Sequence, residues 1–412
     1  MAKNLFAALD VGTTKTCAIL ANAGDGGAFR VLGVGVAPSR GLKKGVVVNL
    51  EEAKESIREA VKKAEHASGI KMESAYVGVT GRHITSMNTR SAVAVARGDR
   101  LVRDGDLKRL MESARSIEIP SDRKLLHVIT RQYALDGHEG VKDPRNMHGF
   151  RVDADAHVVT ASAAAVQNLV KAVRSIGLEV EDLVLEPLAS GEAVLRRDEM
   201  EAGVIMADIG GGTCDVAIWK DGSVTFTSIL PVGGYQVTRD IAVGLGIPFE
   251  LAEQIKIKYG SLIPSADKDK KGKLDAATAG LDNGQEILLS DLNDIIRARV
   301  DELLRMVMME LPRSEYASLA PAGLVLTGGT ANLPGIETLA QDVFRLPVRV
   351  GVPKDVYGLA DIVYDPAYAT TVGLLMWGAR KSTGEELPQG RLEPVGRVFR
   401  HFFFRAKRAV EH

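Results

Sequence analysis

The sequence is poor in cysteine, in aromatic residues and in excess charge of either sign. It contains only two cysteines, Cys17 and Cys214, so no disulfide framework is expected, and such a pair is typical of a reducing compartment. Aromatic residues make up 5% of the 412 residues. The 52 basic residues nearly balance the 53 acidic ones, and the formal net charge of -1 gives no reason to expect a nucleic-acid partner.

Long apolar runs are also missing. None approaches the roughly 20 residues that a membrane-spanning helix needs. Asp10 interrupts the N-terminal apolar stretch, so no secretory signal peptide is expected. The contents of 45% apolar and 25% charged residues are those of a globular protein. At roughly 150 residues per domain, the length predicts two or three domain-sized units.

Two segments about 200 residues apart share one plan of strand, polar turn and strand. Each places an aspartate, Asp10 or Asp208, at the end of an apolar run, directly before a turn of Gly and Thr. A third such turn follows the predicted strand 322–327. We name them the first turn (Gly12, Thr13, Thr14, Lys15), the second turn (Gly210, Gly211, Gly212, Thr213) and the third turn (Gly328, Gly329, Thr330). The repeated plan suggests two related halves, and strands alternating with helices predict an α/β fold.

The three turns favour a phosphate site. Glycine lets backbone N–H groups approach a phosphate, and threonine hydroxyls add donors. Asp10 and Asp208 are suited to hold Mg²⁺ through its water shell, and Lys15 can supply a positive charge to a β or γ phosphate. One Gly-Thr turn alone is most often a hairpin, but three, two of them preceded by an aspartate, favour a nucleotide site over that reading. No P-loop or Rossmann glycine motif is present in the sequence.

The order of motifs resembles the actin, Hsp70 and sugar-kinase superfamily. The matching stretches are Asp10-x-Gly-Thr-Thr, Leu185-Glu-Pro-Leu-Ala189, Asp208-Ile-Gly-Gly-Gly-Thr, Leu326-Thr-Gly-Gly-Thr and Ala369-Thr-Thr-Val-Gly373. The resemblance implies an actin-like fold whose two lobes close on ATP and Mg²⁺, with two phosphate loops, an adenosine loop and two hinge helices. Small residues at Ala189, Ala193, Ala369 and Gly373 would let the hinge helices cross closely.

The same resemblance implies roles for further residues. Glu186 would help place the attacking water, and Asp208 is a second, weaker catalytic candidate beside its metal role. Glu253 and Lys256 would belong to the adenosine pocket, and Gly233 and Gly234 would also contact the nucleotide. Any ATP hydrolysis is expected to be slow and to serve assembly, so whether the chain acts as an enzyme stays open.

Within the superfamily, three stretches resemble the FtsA family of bacterial cell-division proteins. They are Gly41-Leu-Lys-Lys-Gly-Val-Val-Val-Asn49, Val77-Gly-Val-Thr-Gly-Arg-His-Ile84, and Leu126-His-Val-Ile-Thr-Arg-Gln-Tyr133 with Asp143-Pro-Arg-Asn-Met-His-Gly149. The resemblance implies filament formation with copies of itself, binding of the FtsZ C-terminal peptide, and recruitment of later division proteins at the cytoplasmic face of the membrane at the septum. Arg299 lies where FtsA proteins contact FtsZ.

The resemblance also predicts a domain plan. Subdomain 1A would span 1–84 and 163–200, and the inserted 1C-type subdomain would span 85–162. Subdomain 2A would span 201–238 and 310–380 with the closing hinge helix, and 2B would span 239–309. A linker is predicted at 381–394, followed by a C-terminal amphipathic helix at 395–412.

The last 18 residues differ from the rest in charge. They hold four of the ten phenylalanines and five basic residues against one acid, so the segment carries +4 and the body -5. On a helical wheel one face is apolar, and Phe404 alone breaks the pattern. The apolar face includes Val395, Val398, Phe399, Phe402 and Phe403, and the basic residues are Arg397, Arg400, Arg405, Lys407 and Arg408. This pattern predicts an interfacial anchor on anionic lipid; the alternative is a helix that packs on the body.

Several alternatives stay open at this stage. The two cysteines are interpreted as packed thiols, and no zinc-type spacing of histidines occurs. The lysine-rich loop at 268–273 is interpreted as a solvated turn, or as a site for an acidic partner tail. A sugar kinase or Hsp70-like ATPase is the enzyme alternative, and a pilus-assembly relative of FtsA is the non-enzymatic one.

Overall fold

The structure is a computed structural model that describes residues 4–24, 27–116, 118–263, 272–274, 287–312 and 316–383. The predicted amphipathic helix at 395–412, the linker beyond residue 383 and most of the lysine-rich loop lie outside the described residues.

The strands of the described part follow one another in this order: β1 (Leu5–Val11), β2 (Lys15–Ala23), β3 (Phe29–Pro38), β4 (Leu42–Lys43), β5 (Val46–Val47), β6 (Ser74–Val79), β7 (Thr85–Ala94), β8 (Arg123–Leu135), β9 (His138–Val141), β10 (Arg151–Ser162), β11 (Glu179–Leu185), β12 (Val204–Ile209), β13 (Cys214–Lys220), β14 (Ser223–Leu230), β15 (Lys273–Leu274), β16 (Ile287–Leu288), β17 (Leu324–Thr327), β18 (Val348–Val350) and β19 (Val356–Gly358).

The helices are α1 (Leu50–Ser68), α2 (Asp104–Arg115), α3 (Ala163–Arg174), α4 (Glu186–Val194), α5 (Arg197–Ala202), α6 (Gly234–Leu245), α7 (Phe249–Tyr259), α8 (Leu289–Glu310), α9 (Tyr316–Leu319), α10 (Ile336–Phe344) and α11 (Ala369–Thr383). Short 3₁₀ turns lie at Gly329–Asn332, Ala360–Ile362 and Pro366–Tyr368.

Two sheets form two lobes on a common plan. The first lobe has a six-stranded sheet in the order β11-β6-β1-β2-β3-β19, and the second has a five-stranded sheet in the order β14-β13-β12-β17-β18. In each sheet one strand pairs antiparallel with the next across a short turn and parallel with another strand: β1 with β2 and β6, and β12 with β13 and β17. These central strands are buried on both faces, which explains their continuous apolar runs.

Helix α1 illustrates how local sequence fixes an element. Its start is capped by Asn49, whose side-chain oxygen accepts from the backbone N–H groups of Glu51 and Glu52, and it ends at Gly69 with φ +68°. The apolar residues that predict the helix are the ones that it buries against the first sheet: Ala53, Ile57, Ala60, Val61 and Ala64.

A separate domain is inserted in the first lobe between β6 and α3. It consists of the sheet β7-β10-β8-β9 with α2 packed against it. Long antiparallel ladders join β10 to β7 and β8, and a small core includes Leu110, Tyr133 and Val152.

The inserted domain contacts the second lobe through polar side chains. The Ser86 hydroxyl donates to the carbonyl oxygen of Thr227 on β14 at 2.9 Å, and Asn88 Nδ2 donates to the carbonyl of Thr225 at 3.1 Å. His157 lies between Asn88 Oδ1 (2.8 Å) and Thr227 Oγ1 (2.9 Å), and burial lowers its pKa to about 3, so the ring is neutral. We name this set of contacts the β14 seam.

The two lobes meet at the crossing of α4 and α11. Gly373 of α11 lies directly on the backbone of Ala189 in α4, so close that a Cβ at position 373 would overlap the Ala189 carbonyl. A single core cluster runs from Leu9 and Ile19 in the first sheet to Met206 and Trp219 in the second. A second cluster fills the far side of the second lobe.

The structure differs from the sequence predictions at several elements. The apolar and small residues of 188–196 predict a helix there, whereas α4 begins at Glu186, because Pro187 occupies its first turn, and ends at Val194. The late helix continues to Thr383, three residues into the predicted linker. Strands β3 and β14 have no counterpart among the predictions, although β3 alternates between buried and more exposed residues.

Candidate functional site

A cleft of about 320 Å³ lies between the lobes. Most residues predicted to bind nucleotide or metal line it. They are Asp10, Gly12, Thr13, Thr14, Lys15, Glu186, Asp208, Gly210, Gly211, Gly212, Thr213, Gly234, Glu253, Lys256, Gly328, Gly329 and Thr330. The structure thus brings together residues that are up to 320 positions apart in the chain.

The first and second turns pack face to face across the cleft. A Cβ added to Gly212 would lie 2.7 Å from Cβ of Thr13, and one added to Gly211 would lie 3.0 Å from Cβ of Thr14. Real Cβ atoms do not approach so closely, so these positions admit only glycine unless the first turn moves. The threonines of one turn therefore occupy the space that the glycines of the other leave.

Helix α6 begins on the second turn. The N–H of Gly234 donates to the carbonyl of Gly210 at 2.9 Å, and the N–H of Tyr235 donates to that of Gly211 at 2.7 Å. A Cβ at Gly233 would lie 2.5 Å from the Gly210 oxygen. Gly233, a predicted nucleotide contact, is therefore placed beneath the second turn, while Gly234 lines the cleft.

Glu253 and Lys256 of α7 lie at one end of the cleft. Their side chains form an ion pair of 2.7 Å, and both contact the Thr238 hydroxyl, which donates to Glu253. Ile257, Leu333 and Pro334 add apolar surface at this end. One apolar wall with a few fixed polar groups is suited to a planar ring.

The third turn closes the cleft from the second lobe. Gly328 has φ +83°, a conformation that favours glycine, and its N–H donates to the carbonyl of Pro366 at 3.1 Å. Asn332 Nδ2, just beyond the turn, donates to Asp365 Oδ1 at 2.8 Å. The third turn is thereby fixed to the segment that leads into α11.

Asp208 is held by both crossing helices. Ser190 of α4 donates to Asp208 Oδ2 at 2.5 Å, and Thr370 of α11 donates to the same oxygen at 3.1 Å. Burial raises the pKa of the Asp208 carboxyl, which these two hydroxyls and Lys15 partly offset. Ser190 is thus a helix residue whose hydroxyl orients a cleft carboxylate.

Asp215 is a cleft carboxylate that the sequence analysis missed. It lies on β13 directly opposite Asp208 in the strand register, and its carboxylate accepts from the hydroxyl of Thr80 on the first lobe. Burial, with Asp208 beside it, raises the pKa of Asp215 to about 7. The signal was a lone acid within the apolar strand Cys214–Lys220, just after the second turn.

Asp10 and Glu186 complete the acidic wall. Burial raises the pKa of Asp10 to about 6, with Lys15 lowering it and Asp208 raising it further. Burial and the neighbouring Asp10 raise the pKa of Glu186 well above its ordinary value. Four buried carboxylates in one cleft repel one another, and a cation would relieve that repulsion.

The donor set fits a hydrated Mg²⁺ better than a directly ligated ion. In the ranges that the structure describes, no group of three Asp, Glu, His or Cys side chains is arranged to hold a metal ion. Mg²⁺ keeps several waters and is commonly bound through one or two carboxylates beside phosphates. Asp10 and Asp208 are the carboxylates that would hold such an ion through its waters.

Arg299 lies outside the cleft, on α8. Its guanidinium forms ion pairs with Asp240 on α6 and with Glu302 on its own helix, the latter at 2.5 Å. The side chain is 32% exposed. Arg299 is therefore reachable from solvent but already paired, and a partner's carboxylate would have to compete with those acids.

Both cysteines are buried, as expected for packed thiols. Burial raises the pKa of Cys17 to about 12 and that of Cys214 well above its ordinary value. Neither thiol has the microenvironment of a reactive cysteine.

Comparison with known families gives two matches that together cover much of the chain. A family model described as "Cell division protein FtsA" matches residues 205–373, and one described as "SHS2 domain inserted in FTSA" matches residues 81–160. The second match coincides with the inserted domain.

Curated relatives match over almost the whole length. The cell division protein FtsA of Pseudomonas aeruginosa is 43% identical over 92% of this chain and 90% of its own. Those of Bacillus subtilis and Escherichia coli K12 are each 35% identical, over 95% and 91% of this chain and 88% and 90% of their own.

Solved structures share the fold at low identity. The PilM-PilN type IV pilus biogenesis complex gives a TM-score of 0.61 at 15% identity, covering 91% of this chain and 98% of that one. MreB5 of Spiroplasma citri bound to ADP gives 0.53 at 15% identity, over 92% and 98%. These structures and the inserted-domain match confirm the predicted actin-like two-lobed α/β fold with an insertion.

Proposed function

Because this chain belongs to the FtsA family of cell division proteins, we propose that it binds ATP with Mg²⁺ in the cleft, assembles into filaments and holds FtsZ at the membrane. Identity of 35–43% over nearly the full length favours this reading over a pilus-assembly protein, since the pilus complex is similar only in fold.

One observation carries the nucleotide part of the proposal: three Gly/Thr turns and four carboxylates from both lobes line a single cleft. The first and second turns offer backbone N–H groups and hydroxyls for the phosphates, and Lys15 offers a positive charge. Glu253, Lys256 and the apolar wall around Leu333 are suited to the adenosine. Mg²⁺ would supply charge neutralisation between the phosphates and the waters that Asp10 and Asp208 orient.

Hydrolysis is proposed to be slow. Glu186 is proposed to orient an attacking water, but burial and the neighbouring Asp10 raise its pKa well above the ordinary value, which favours the protonated carboxyl in the ligand-free cleft. A protonated carboxyl cannot accept the proton of the water. Turnover would therefore depend on the bound cation lowering the pKa of Glu186, and nucleotide state would serve assembly more than catalysis.

Calorimetric titration tests the nucleotide part. ATP with Mg²⁺ should bind, and Lys256→Ala should weaken ATP and adenosine alike, because Lys256 lies at the proposed adenosine end. Lys258→Ala, two residues along α7 and exposed, is the matched control and should bind like the wild type. Absence of ATP binding by the wild-type chain would contradict the proposal.

The membrane part rests on the sequence of residues 395–412, outside the described residues. In the described ranges, no helix combines the length and the apolar content needed to cross a bilayer. An interfacial helix with a basic face would instead lie on anionic lipid, with each buried phenylalanine contributing roughly 1.5–3 kcal/mol and each basic group about 1 kcal/mol. Ordering of the segment offsets part of this, so we propose that firm attachment needs many chains in one filament.

Neighbouring phenylalanines provide a matched test of the anchor. On the predicted helix Phe403 lies on the apolar face and Phe404 on the polar one. In sedimentation with phosphatidylglycerol vesicles, Phe403→Ala should weaken binding about tenfold, whereas Phe404→Ala should bind nearly as the wild type. Equal losses would argue against a helix lying in the interface. A monomeric variant that bound as tightly as the polymer would contradict the role of avidity.

The tether itself is tested by adding FtsZ to the same vesicles. The full chain should bring FtsZ to the lipid, and a chain ending at residue 383 should not. The acidic tail of FtsZ is proposed to reach the second lobe near Arg299, displacing Asp240 or Glu302. Arg299→Ala should weaken capture, and Arg305→Ala, six residues along the same helix and paired with Asp301, is the control. Failure of the full chain to recruit FtsZ would overturn this part.

A further inference from the structure

Lys15 is held in an unusual way for a lysine surrounded by acids. Its ammonium donates to the carbonyl oxygen of Ala367 at 2.6 Å and lies 3.7 Å from the centroid of the Tyr368 ring. The ammonium lies near two acids, Asp10 and Asp208, and its positive charge acts to lower the pKa of both carboxyls. The contacts that fix the ammonium therefore come from a neutral carbonyl and an aromatic face.

The segment that supplies both contacts is rigidly built. Pro366–Tyr368 forms a 3₁₀ turn, and Asp365 caps it by accepting from the N–H of Ala367 at 2.7 Å. The Pro366 carbonyl accepts from the N–H of Gly328 and from the Thr327 hydroxyl at 3.3 Å. The turn is thus tied to the third turn of the second lobe while it contacts the lysine of the first.

The chemistry of these contacts leaves the charge of Lys15 available. A carboxylate partner would neutralise the ammonium and compete with a phosphate, whereas a carbonyl and a ring face attract a cation without cancelling its charge. An ammonium has three N–H donors, and the Ala367 carbonyl takes one of them. The others remain for a ligand in the cleft, which both Lys15 and Ala367 line.

We propose that Tyr368, together with the carbonyl of Ala367, is a positioning residue that aims the Lys15 ammonium at the phosphates of a bound nucleotide. The inference rests on the proposed nucleotide function and deepens it. It predicts that Tyr368 contributes to the affinity for polyphosphates and contributes nothing to the affinity for adenosine.

Two substitutions distinguish the effect of the Tyr368 aromatic ring from the effects of its hydroxyl and of its size. Tyr368→Phe keeps the aromatic face, and Tyr368→Leu removes it while keeping an apolar side chain in the half-buried position. In calorimetric titrations with Mg²⁺, Tyr368→Leu should weaken ATP and ADP by about fivefold and leave adenosine unchanged. Tyr368→Phe should behave as the wild type. In a Lys15→Met background, Tyr368→Leu should have no further effect on ATP.

A second measurement needs no nucleotide. An aromatic ring this close shifts the NMR signals of the lysine side-chain methylene groups, so in ¹³C-lysine-labelled protein the Lys15 signal, assigned by its loss in Lys15→Met, should be displaced. The displacement should persist in Tyr368→Phe and vanish in Tyr368→Leu.

The outcomes are distinct. Loss of adenosine affinity in Tyr368→Leu, equal effects of the Phe and Leu variants, or additive losses with Lys15→Met would each overturn the inference. An undisplaced Lys15 signal in the wild type would overturn it as well. If the wild type bound no nucleotide, the proposed function would fail, while the NMR signal would still decide whether the ring holds the lysine.

Discussion

The first and second turns are built on the same strand register but differ at nearly every side chain. Asp10 pairs with Cys17 across β1 and β2 as Asp208 pairs with Asp215 across β12 and β13. Counting from each aspartate, Thr13 and Thr14 in the first half correspond to Gly211 and Gly212 in the second. The threonine side chains of the first turn thus pack against the glycines of the second turn, which have none.

This difference shows how two copies of one strand-turn-strand unit can form a single cleft. Two identical threonine turns would collide across the cleft, and two glycine turns would leave it open. The same division appears in charge: the first half has Lys15 and a thiol where the second has Thr213 and a carboxylate. The acidic wall is therefore asymmetric, and the substitutions below change either a side chain in which the two halves differ or an aspartate that they share.

The largest effect, on the stability of the fold, is expected when the first half receives a carboxylate at Cys17, the position that corresponds to Asp215 in the second half. Cys17→Asp would bury an acid opposite Asp10, and the Thr371 hydroxyl beside both positions has one proton to donate and so could serve only one of the two carboxylates. We expect the free energy of unfolding to fall by about 3–5 kcal/mol, measured by urea denaturation, while Cys17→Ser loses much less. A Cys17→Asp chain as stable as Cys17→Ser would contradict this account.

The next effect concerns the packing of the two turns. Gly212→Ala should reduce ATP affinity by about tenfold or more, because its Cβ would collide with Thr13. Thr13→Gly added to the same chain removes the collision and should restore part of the affinity. The measurement is calorimetric titration of the single and double variants. No rescue would mean that the turns do not limit each other.

Asp208→Asn should reduce the gain in ATP affinity that Mg²⁺ provides. The amide still accepts from Ser190 and Thr370, so the cleft keeps its shape, but the negative charge that orients the waters of the ion is lost. The ratio of ATP affinities with Mg²⁺ and with EDTA should fall by about tenfold. Asp10→Asn should act in the same direction. A ratio equal to that of the wild type would exclude Asp208 from the metal site.

The last prediction is a pH dependence of stability. The raised pKa of Asp215, about 7, means that the folded chain keeps a proton there that the unfolded chain releases near pH 4. Between these values the free energy of unfolding falls as pH rises. Asp215→Asn removes this titration and still accepts from Thr80, so its Tm should exceed that of the wild type by roughly 3–6 °C at pH 8 and equal it at pH 4.

Thermal scans without nucleotide check this prediction. The exposed Asp198 provides the control, since Asp198→Asn should not alter the pH profile. If the Tm values of the wild type and Asp215→Asn changed with pH in parallel, burial would not raise the pKa of the Asp215 carboxyl.

The features that could be predicted from the sequence are those fixed by local chemistry. The turns at Gly12, Gly210 and Gly328 are coded by residues that are adjacent in the chain, and α1 is coded by its cap and its apolar spacing. Asp10 and Asp208 follow from their places at strand ends. These signals need no knowledge of the other lobe.

The features that were missed depend on contacts between distant segments. Asp215 gains its place through Thr80, which is 135 positions away, and Lys15 is fixed by Ala367, which is 352 positions away. Neither partner carries a local signature. Strand β14 escaped prediction for a related reason: it ends its sheet, and side chains of the inserted domain bond to its Thr225 and Thr227 carbonyls and bury the polar Thr227 side chain, so the strand lacks a simple alternation of apolar and polar residues.

The β14 seam gives the molecule a second mechanical linkage between its lobes. The inserted domain is covalently part of the first lobe, yet Ser86, Asn88 and His157 attach it to a strand of the second. Any rotation of the lobes about α4 and α11 must either slide this seam or swing the inserted domain with the second lobe. A pull on the inserted domain is therefore transmitted to β14, its neighbour β13 and Asp215, along a route that bypasses the crossing helices.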